Sequence, residues 1–214
     1  CIGSSKTLTA SVGSRYLWDN ADTTQSRTVS PLVTTKYFVT VTNANGCKDS
    51  ASVTVTVNPL PIVTVSVDTI ICKLDSATLL ASGGNSYSWS DGSLTSKKNP
   101  YKVSPTNTTR YFVTVTDGNN CEDTGSVKVT VNALPDPNVG PVSTICVGDS
   151  VKIGAKLGGS YLWSTNAISD SIVVSPSQNT FYRVTMTDGS SCKGIDSVEV
   201  KVNPLPTARA GVDD

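Results

Sequence analysis

Short runs in which every second residue is aliphatic or aromatic recur along this chain, separated by clusters of Gly, Asn, Asp, Ser and Pro. Residues 62–67 alternate with a period of two, and Ala77, Leu79 and Ala81 fall on one face. Further on, Tyr111, Val113 and Val115 share a face while Phe112, Thr114 and Thr116 point the other way. That period belongs to a strand with one side in a core and the other in water. Strands are therefore predicted over 62–67, 77–81, 87–89, 101–103, 111–116 and 127–131. A loop carries the chain from the first of these to Cys72. Gly83-Gly84-Asn85 and Ser90–Ser93 break the pattern, and Asp117-Gly-Asn-Asn supplies a hairpin turn whose Gly118 and Asn residues tolerate positive φ. No segment carries helical spacing.

The runs themselves repeat. Trp18, Trp89 and Trp163 lie 71 and 74 residues apart, and Cys1, Cys72 and Cys146 keep the same intervals, as a tandem array requires. Equivalent apolar positions recur as Leu8, Leu79 and Ile153, as Val39, Val113 and Val184, and as Val53, Val127 and Val198. The second copy is longer by an insertion near Lys97–Pro100. Residues 1–61 read as one repeat without its first strand, 62–135 as a second, 136–206 as a third, and 207–214 as the start of a fourth. Each repeat carries short strands, frequent turns and a Trp on its third full strand. That pattern predicts an all-β chain of three tandem immunoglobulin-like β-sandwich repeats. The joints Asn58–Pro61, Asn132–Pro135 and Asn203–Pro206 are short and proline-restricted, which predicts a semi-rigid rod. Cys1 opens the chain at the first residue of the repeat pattern, so the chain reads as a window from a longer array.

Charge removes some partners. Seventeen basic residues balance seventeen acidic ones, and Lys97-Lys98 is the densest basic point, so neither nucleic acid nor an anionic membrane is favoured. The apolar runs are strand-sized, which argues against membrane insertion.

Cysteine usage adds a compartment. Six cysteines fall two per repeat, there is no His, and no Cys-x-x-Cys pair occurs. This suits a disulfide framework in an oxidising, extracellular setting better than a metal centre. Two pairings respect the repeat. One closes each copy on itself: Cys1 with Cys47, Cys72 with Cys121, Cys146 with Cys192. The other bridges neighbours: Cys1 with Cys121 and Cys72 with Cys192, with Cys47 and Cys146 pairing outside the chain. Within one immunoglobulin-like repeat, the connection before the second strand and the last hairpin lie at opposite ends. A seven-residue strand separates them by roughly 20 Å, whereas bonded cysteine Cα atoms approach to about 7 Å or less. The geometry therefore favours bridging, and both pairings stay open.

Catalysis finds no foothold, because the usual bases are missing or dispersed. Neither cofactor nor metal is expected. Asp117–Asn120 and Asp188–Ser191 resemble calcium loops only superficially, since they lack spaced carboxylates. Trp18, Trp89, Trp163, Tyr37, Tyr111 and Tyr182 recur at inward positions and are assigned to the core; for the three Trp together with Tyr16, Tyr87 and Tyr161, a sugar-stacking platform is the competing reading. Phe38 and Phe112 point outward, but the third repeat has Arg183 there.

Four segments carry a family likeness: Ile145-Cys-Val-Gly-Asp-Ser-Val151, Tyr161-Leu-Trp-Ser164, Tyr37-Phe-Val-Thr-Val-Thr-Asn-Ala-Asn-Gly-Cys47 and Asn203-Pro-Leu-Pro206. Together they resemble the Ig-like and PKD-like repeats of giant Bacteroidota surface proteins, including gliding-motility adhesins exported by the type 9 system. The resemblance spans the whole chain. It implies an extracellular, cell-surface location and the role of a stalk or filament segment. The partners implied are neighbouring repeats of the same long chain or like chains in a filament. The alternative is an adhesive module that binds a surface glycan or protein through loops that differ between copies, such as 26–27, 96–99 and 170–171. In proteins of that group, Asp-Ser/Thr followed by an aliphatic residue or Thr is an O-glycosylation signature. Here it would mark Thr23, Ser50, Thr69, Ser76, Ser150, Ser171 and Ser197, with strand-end and turn preference as the plain alternative.

Overall fold

The computed structural model describes residues 1–209 and 211; the fourth-copy segment 207–214 thus lies partly outside the described residues. Every regular element among the described residues is a strand. The first repeat forms β1 (Lys6–Thr9), β2 (Arg15–Trp18), β3 (Ser26–Val29), β4 (Thr35–Thr42) and β5 (Lys48–Val55). The second forms β6 (Thr64–Val65), β7 (Thr69–Cys72), β8 (Ala77–Leu79), β9 (Ala81–Ser82), β10 (Ser86–Ser90), β11 (Thr95–Ser96), β12 (Tyr101–Val103), β13 (Thr109–Thr116) and β14 (Glu122–Asn132). The third forms β15 (Ser143–Cys146), β16 (Val151–Gly154), β17 (Ser160–Trp163), β18 (Ser171–Val174), β19 (Thr180–Thr187) and β20 (Lys193–Asn203).

The strands stack in two layers, an all-β arrangement of immunoglobulin-like type. One layer is built on the long final hairpin: β2-β4-β5 in the first repeat, β11-β10-β13-β14-β7 in the second and β15-β20-β19-β17 in the third. The other layer pairs β1 with β3, β8 with β12, or β16 with β18. Alternation explains the arrangement, because only one face of each strand is apolar and two such faces must cover each other. Leu8 and Val29 from one layer meet Trp18, Tyr37 and Val39 from the other. Ile153, Ile172 and Val174 likewise meet Trp163, Tyr182, Val184 and Val198. Registers are equivalent across copies: Trp18 lies opposite Val39, Trp89 opposite Val113 and Trp163 opposite Val184.

The loop expected ahead of Cys72 is partly a strand. β7 ends on Cys72, and in the third repeat β15 ends on Cys146 and runs parallel to β20, from Ser143 opposite Val200 to Cys146 opposite Asn203. The first strand therefore works in two halves. Its early half, β6, pairs with β9, and its late half edges the hairpin layer. Alternation alone does not reveal such a change of partner, because both halves are extended.

By contacts the chain divides into two compact units. One comprises Cys1–Thr69, Ala77–Val103 and Thr109–Val129; the other comprises Ile70–Ser76, Ser104–Thr108 and 130–214. The dividing line passes through the second repeat, so division into modules at 61, 135 and 206 is a reading of the sequence.

Candidate functional site

The chemistry that bears on function sits at the cysteines, and short polar turns place them. In the last hairpin of each repeat an Asx side chain folds the loop: Asn43 Oδ1 accepts from Asn45 N–H (2.9 Å) and Cys47 N–H (3.0 Å). Asp117 does the same for Asn119 and Cys121, both at 2.8 Å, and Asp188 for Ser190 (2.8 Å) and Cys192 (2.9 Å). Positive φ falls just before each cysteine, at Gly46, Asn120 and Ser191, and not at Gly118. These carboxylates are occupied by the turn itself, which is a structural use of the Asp-rich loops.

The other cysteines open a tight turn ahead of the second full strand. Cys1 O accepts from Ser4 N–H (3.1 Å), Cys72 O from Asp75 N–H (3.0 Å) and Cys146 O from Asp149 N–H (3.0 Å). Within the first compact unit Cys1 is bonded to Cys121, with Cα atoms 5.4 Å apart. Within the second, Cys72 is bonded to Cys192, with Cα atoms 5.5 Å apart. Cys121 and Cys192 are buried. Cys47 and Cys146 are free thiols and exposed.

Trp18, Trp89, Trp163, Tyr37, Tyr111 and Tyr182 all lie in the cores. Burial pushes the Tyr111 hydroxyl above its ordinary pKa, with Asp91 adding to the effect. Tyr16, Tyr87 and Tyr161 each donate their hydroxyl to a nearby backbone carbonyl: Gly13 O at 3.0 Å, Gly84 O at 2.9 Å and Lys156 O at 3.0 Å. Phe38 and Phe112 are about half exposed. Of the Asp-Ser/Thr positions, Thr23, Ser50, Ser76, Ser150 and Ser197 are exposed, while Thr69 and Ser171 are half-buried. The hydroxyls of Ser50 and Ser171 are engaged with Thr40 Oγ1 (2.9 Å) and Asp170 Oδ1 (3.0 Å). Two turn carboxylates are held below the ordinary range: Asp22 by the N–H and hydroxyl of Thr24, and Asp91 by the N–H groups of Leu94 and then Ser93.

Two features escape the alternation pattern. Arg27 occupies the position held by Tyr101 and Ile172, as its register opposite Leu8 matches theirs opposite Leu79 and Ile153. Its guanidinium stacks on Trp18 (5.6 Å) and Tyr37 (5.1 Å) and pairs with Asp19 at 2.7 Å. The sequence marks Ser26-Arg27 as a variable loop, but both lie in β3; the charge of Arg27 masks a core-lining role that its register opposite Leu8 reveals. The second feature is an open groove beside β5, lined by Leu8, Trp18, Tyr37, Val41 and Val53.

No family model matches the sequence, and no curated protein matches it. Solved structures with a similar trace include an ice-binding adhesin of an Antarctic bacterium, described as Ca2+-stabilized, with TM-score 0.40 and 14% identity over 95% of this chain and 70% of that one. The I67–I69 fragment of the titin I-band gives 0.39 and 12% over 94% and 89%. The insect immune protein hemolin gives 0.38 and 16% over 93% and 71%. At such scores the fold assignment rests on strand order and register instead.

Proposed function

We propose that this chain is a load-bearing segment of an extracellular bacterial surface adhesin or filament, built from disulfide-stapled immunoglobulin-like modules at 1–61, 62–135 and 136–206, with 207–214 beginning another. The carrying observation is the pair of disulfides, each spanning 120 residues from the turn that opens one repeat to the last hairpin of the next. Such bonds belong to an oxidising compartment. They also short-circuit the chain under tension. With Cys1 joined to Cys121 and Cys72 to Cys192, the shortest covalent route between the termini uses only residues 72–121 and 192–214.

That route sets a measurable limit. At about 3.5 Å per residue, the bonded chain extends to roughly 25 nm and the reduced chain to roughly 75 nm. Pulling single molecules by their termini, before and after a reductant, should give this threefold difference. Equal extensions in both conditions would remove the mechanical reading. The adhesive alternative draws on half-exposed Phe38 and Phe112, which the third repeat does not reproduce.

A further inference from the structure

On the outward face of the hairpin layer, strand register gathers charges that the sequence scatters. In the first repeat Arg15 and Lys48 flank Thr42 in one cross-strand row. Lys36 lies on the same face of β4, six residues before Thr42, and so stands about 20 Å from that row at the ordinary strand rise. All three basic residues are exposed. Asp19 enters this face opposite Phe38, donating its N–H to Phe38 O at 3.1 Å, and its carboxylate is neutralised by Arg27 at 2.7 Å. A chain whose charges cancel overall thus carries a basic strip, three strands and about 10 Å wide.

Between the cations the strip is aromatic and hydroxylated. Phe38 is 51% exposed, and Lys36 Nζ stands 5.2 Å from its ring centroid. Ser52 lies opposite Phe38, and Thr40 lies between Leu17 and Ser50. The flanking Tyr37 and Val39 fill the core, so the Phe38 ring takes no part in it. A single exposed ring is ordinary, but this couple of ring and cation recurs. On the central strand of the second repeat Arg110 precedes Phe112 by two residues, as Lys36 precedes Phe38. The third repeat keeps both members and exchanges their places, with Phe181 at the position of Lys36 and Arg183 at that of Phe38. Phe112 and Phe181 are 53% and 68% exposed.

We propose that the strip on the first repeat binds an acidic polysaccharide, with a sugar ring stacked on Phe38 and its carboxylates or sulfate esters on Lys36, Arg15 and Lys48. Charge complementarity selects an anion. The distance from Lys36 to the Arg15–Lys48 row selects a polymer over a single sugar. The electron-rich face of the ring takes the C–H groups of a pyranose, and the Ser and Thr rows meet its hydroxyls. An acidic peptide fits less well, because a sheet face offers side chains only, whereas an extended peptide docks on the main-chain groups of an edge. The other repeats carry the couple in a less basic setting: Glu122 stands in the second where Lys48 stands in the first, and Phe181 lies opposite Glu199 in the third. This inference goes beyond the load-bearing reading, and either can fail without the other, because the extension measurement involves no glycan.

The test titrates the full chain with polygalacturonate and with dextran sulfate, using dextran as the neutral control and polyglutamate as an anion without sugar. Binding to at least one acidic polysaccharide is expected, with none to dextran and a decline as salt rises. Replacing the three cations together, by Arg15→Gln, Lys36→Gln and Lys48→Gln, should weaken binding about tenfold or more. Phe38→Thr, which keeps a strand-forming residue, should weaken it about threefold. Lys36→Arg should retain binding. Lys102→Gln with Lys152→Gln removes exposed charge from the other layer and should leave affinity unchanged. Melting curves show that each variant is folded, and if Phe38→Thr lowers the transition, Phe38→Tyr restores the ring and should bind as the parent does. Failure to bind either acidic polysaccharide would overturn the proposal. So would equal affinity for polyglutamate, undiminished binding by folded Phe38→Thr, or a loss in the Lys102 and Lys152 variant as large as that in the strip variant.

Discussion

Trp18, Trp89 and Trp163 fill one position three times, yet only two of the indoles find an acceptor. Trp18 Nε1 donates to Thr24 O at 2.8 Å and Trp163 Nε1 to Ser169 O at 2.9 Å, each six residues on. Trp89 Nε1 is buried and has no partner. Six residues beyond it stands Thr95, which belongs to β11 and is paired with Ser90; the insertion that follows has rerouted the segment. A buried donor left unpaired costs about 1–3 kcal/mol, so Trp→Phe should be less damaging at 89 than at 18 or 163, by about 1–2 kcal/mol. Denaturant titration of the three variants measures this, and equal losses would show that the indole N–H is not the deciding group. The positions of the three Trp were readable from their spacing. The fate of each N–H was not, because it depends on where a loop passes six residues later.

At the scale of elements, the turn behind each opening cysteine needs a left-handed residue. Gly3 and Gly148 supply it at φ 83° and 96°, but the second repeat places Leu74 there at φ 79°. Leu74 is also largely exposed, so its side chain contributes little burial. A non-glycine residue in this region is disfavoured by roughly 1–2 kcal/mol, part of which glycine returns as lost backbone entropy. Leu74→Gly should therefore stabilise the protein by about 0.5–1 kcal/mol, read as a rise in the denaturation midpoint; a fall would mean that the leucine makes a contact worth more than the strain. Strand existence was legible because the period of two persists through every hairpin layer. The parallel late half of the first strand was not, since pairing partner leaves no periodic trace in an extended run.

For the whole molecule, the sulfurs decide how the chain responds to its surroundings. Cys47 and Cys146 should be the two thiols that react under native conditions, and the other four should react only after reduction. Reduction should lower stability by about 2–4 kcal/mol for each bond. Calorimetry with and without a phosphine reductant measures the loss, and the two compact units need not melt as one. An unchanged thermogram would show that the bonds constrain little of the unfolded chain. Spacing narrowed fifteen formal pairings to two, and a rise per residue leaned toward one of them. Which sulfurs meet is a matter of how the turns at Cys72 and in the last hairpin are brought together in three dimensions.

The amino-acid sequence by itself determined the all-β character, the tandem copies, the inward Trp and Tyr positions and the list of cysteines. All of these follow from periodicity and recurrence, which are properties of a linear string. Tertiary structure alone decided the split first strand, the stacking of Arg27 on Trp18 and Tyr37, the unpartnered Trp89 N–H and the groove beside Val53. Those depend on which segment fills the space next to another, as Val63 and Val65 do against Gly125 in the second copy.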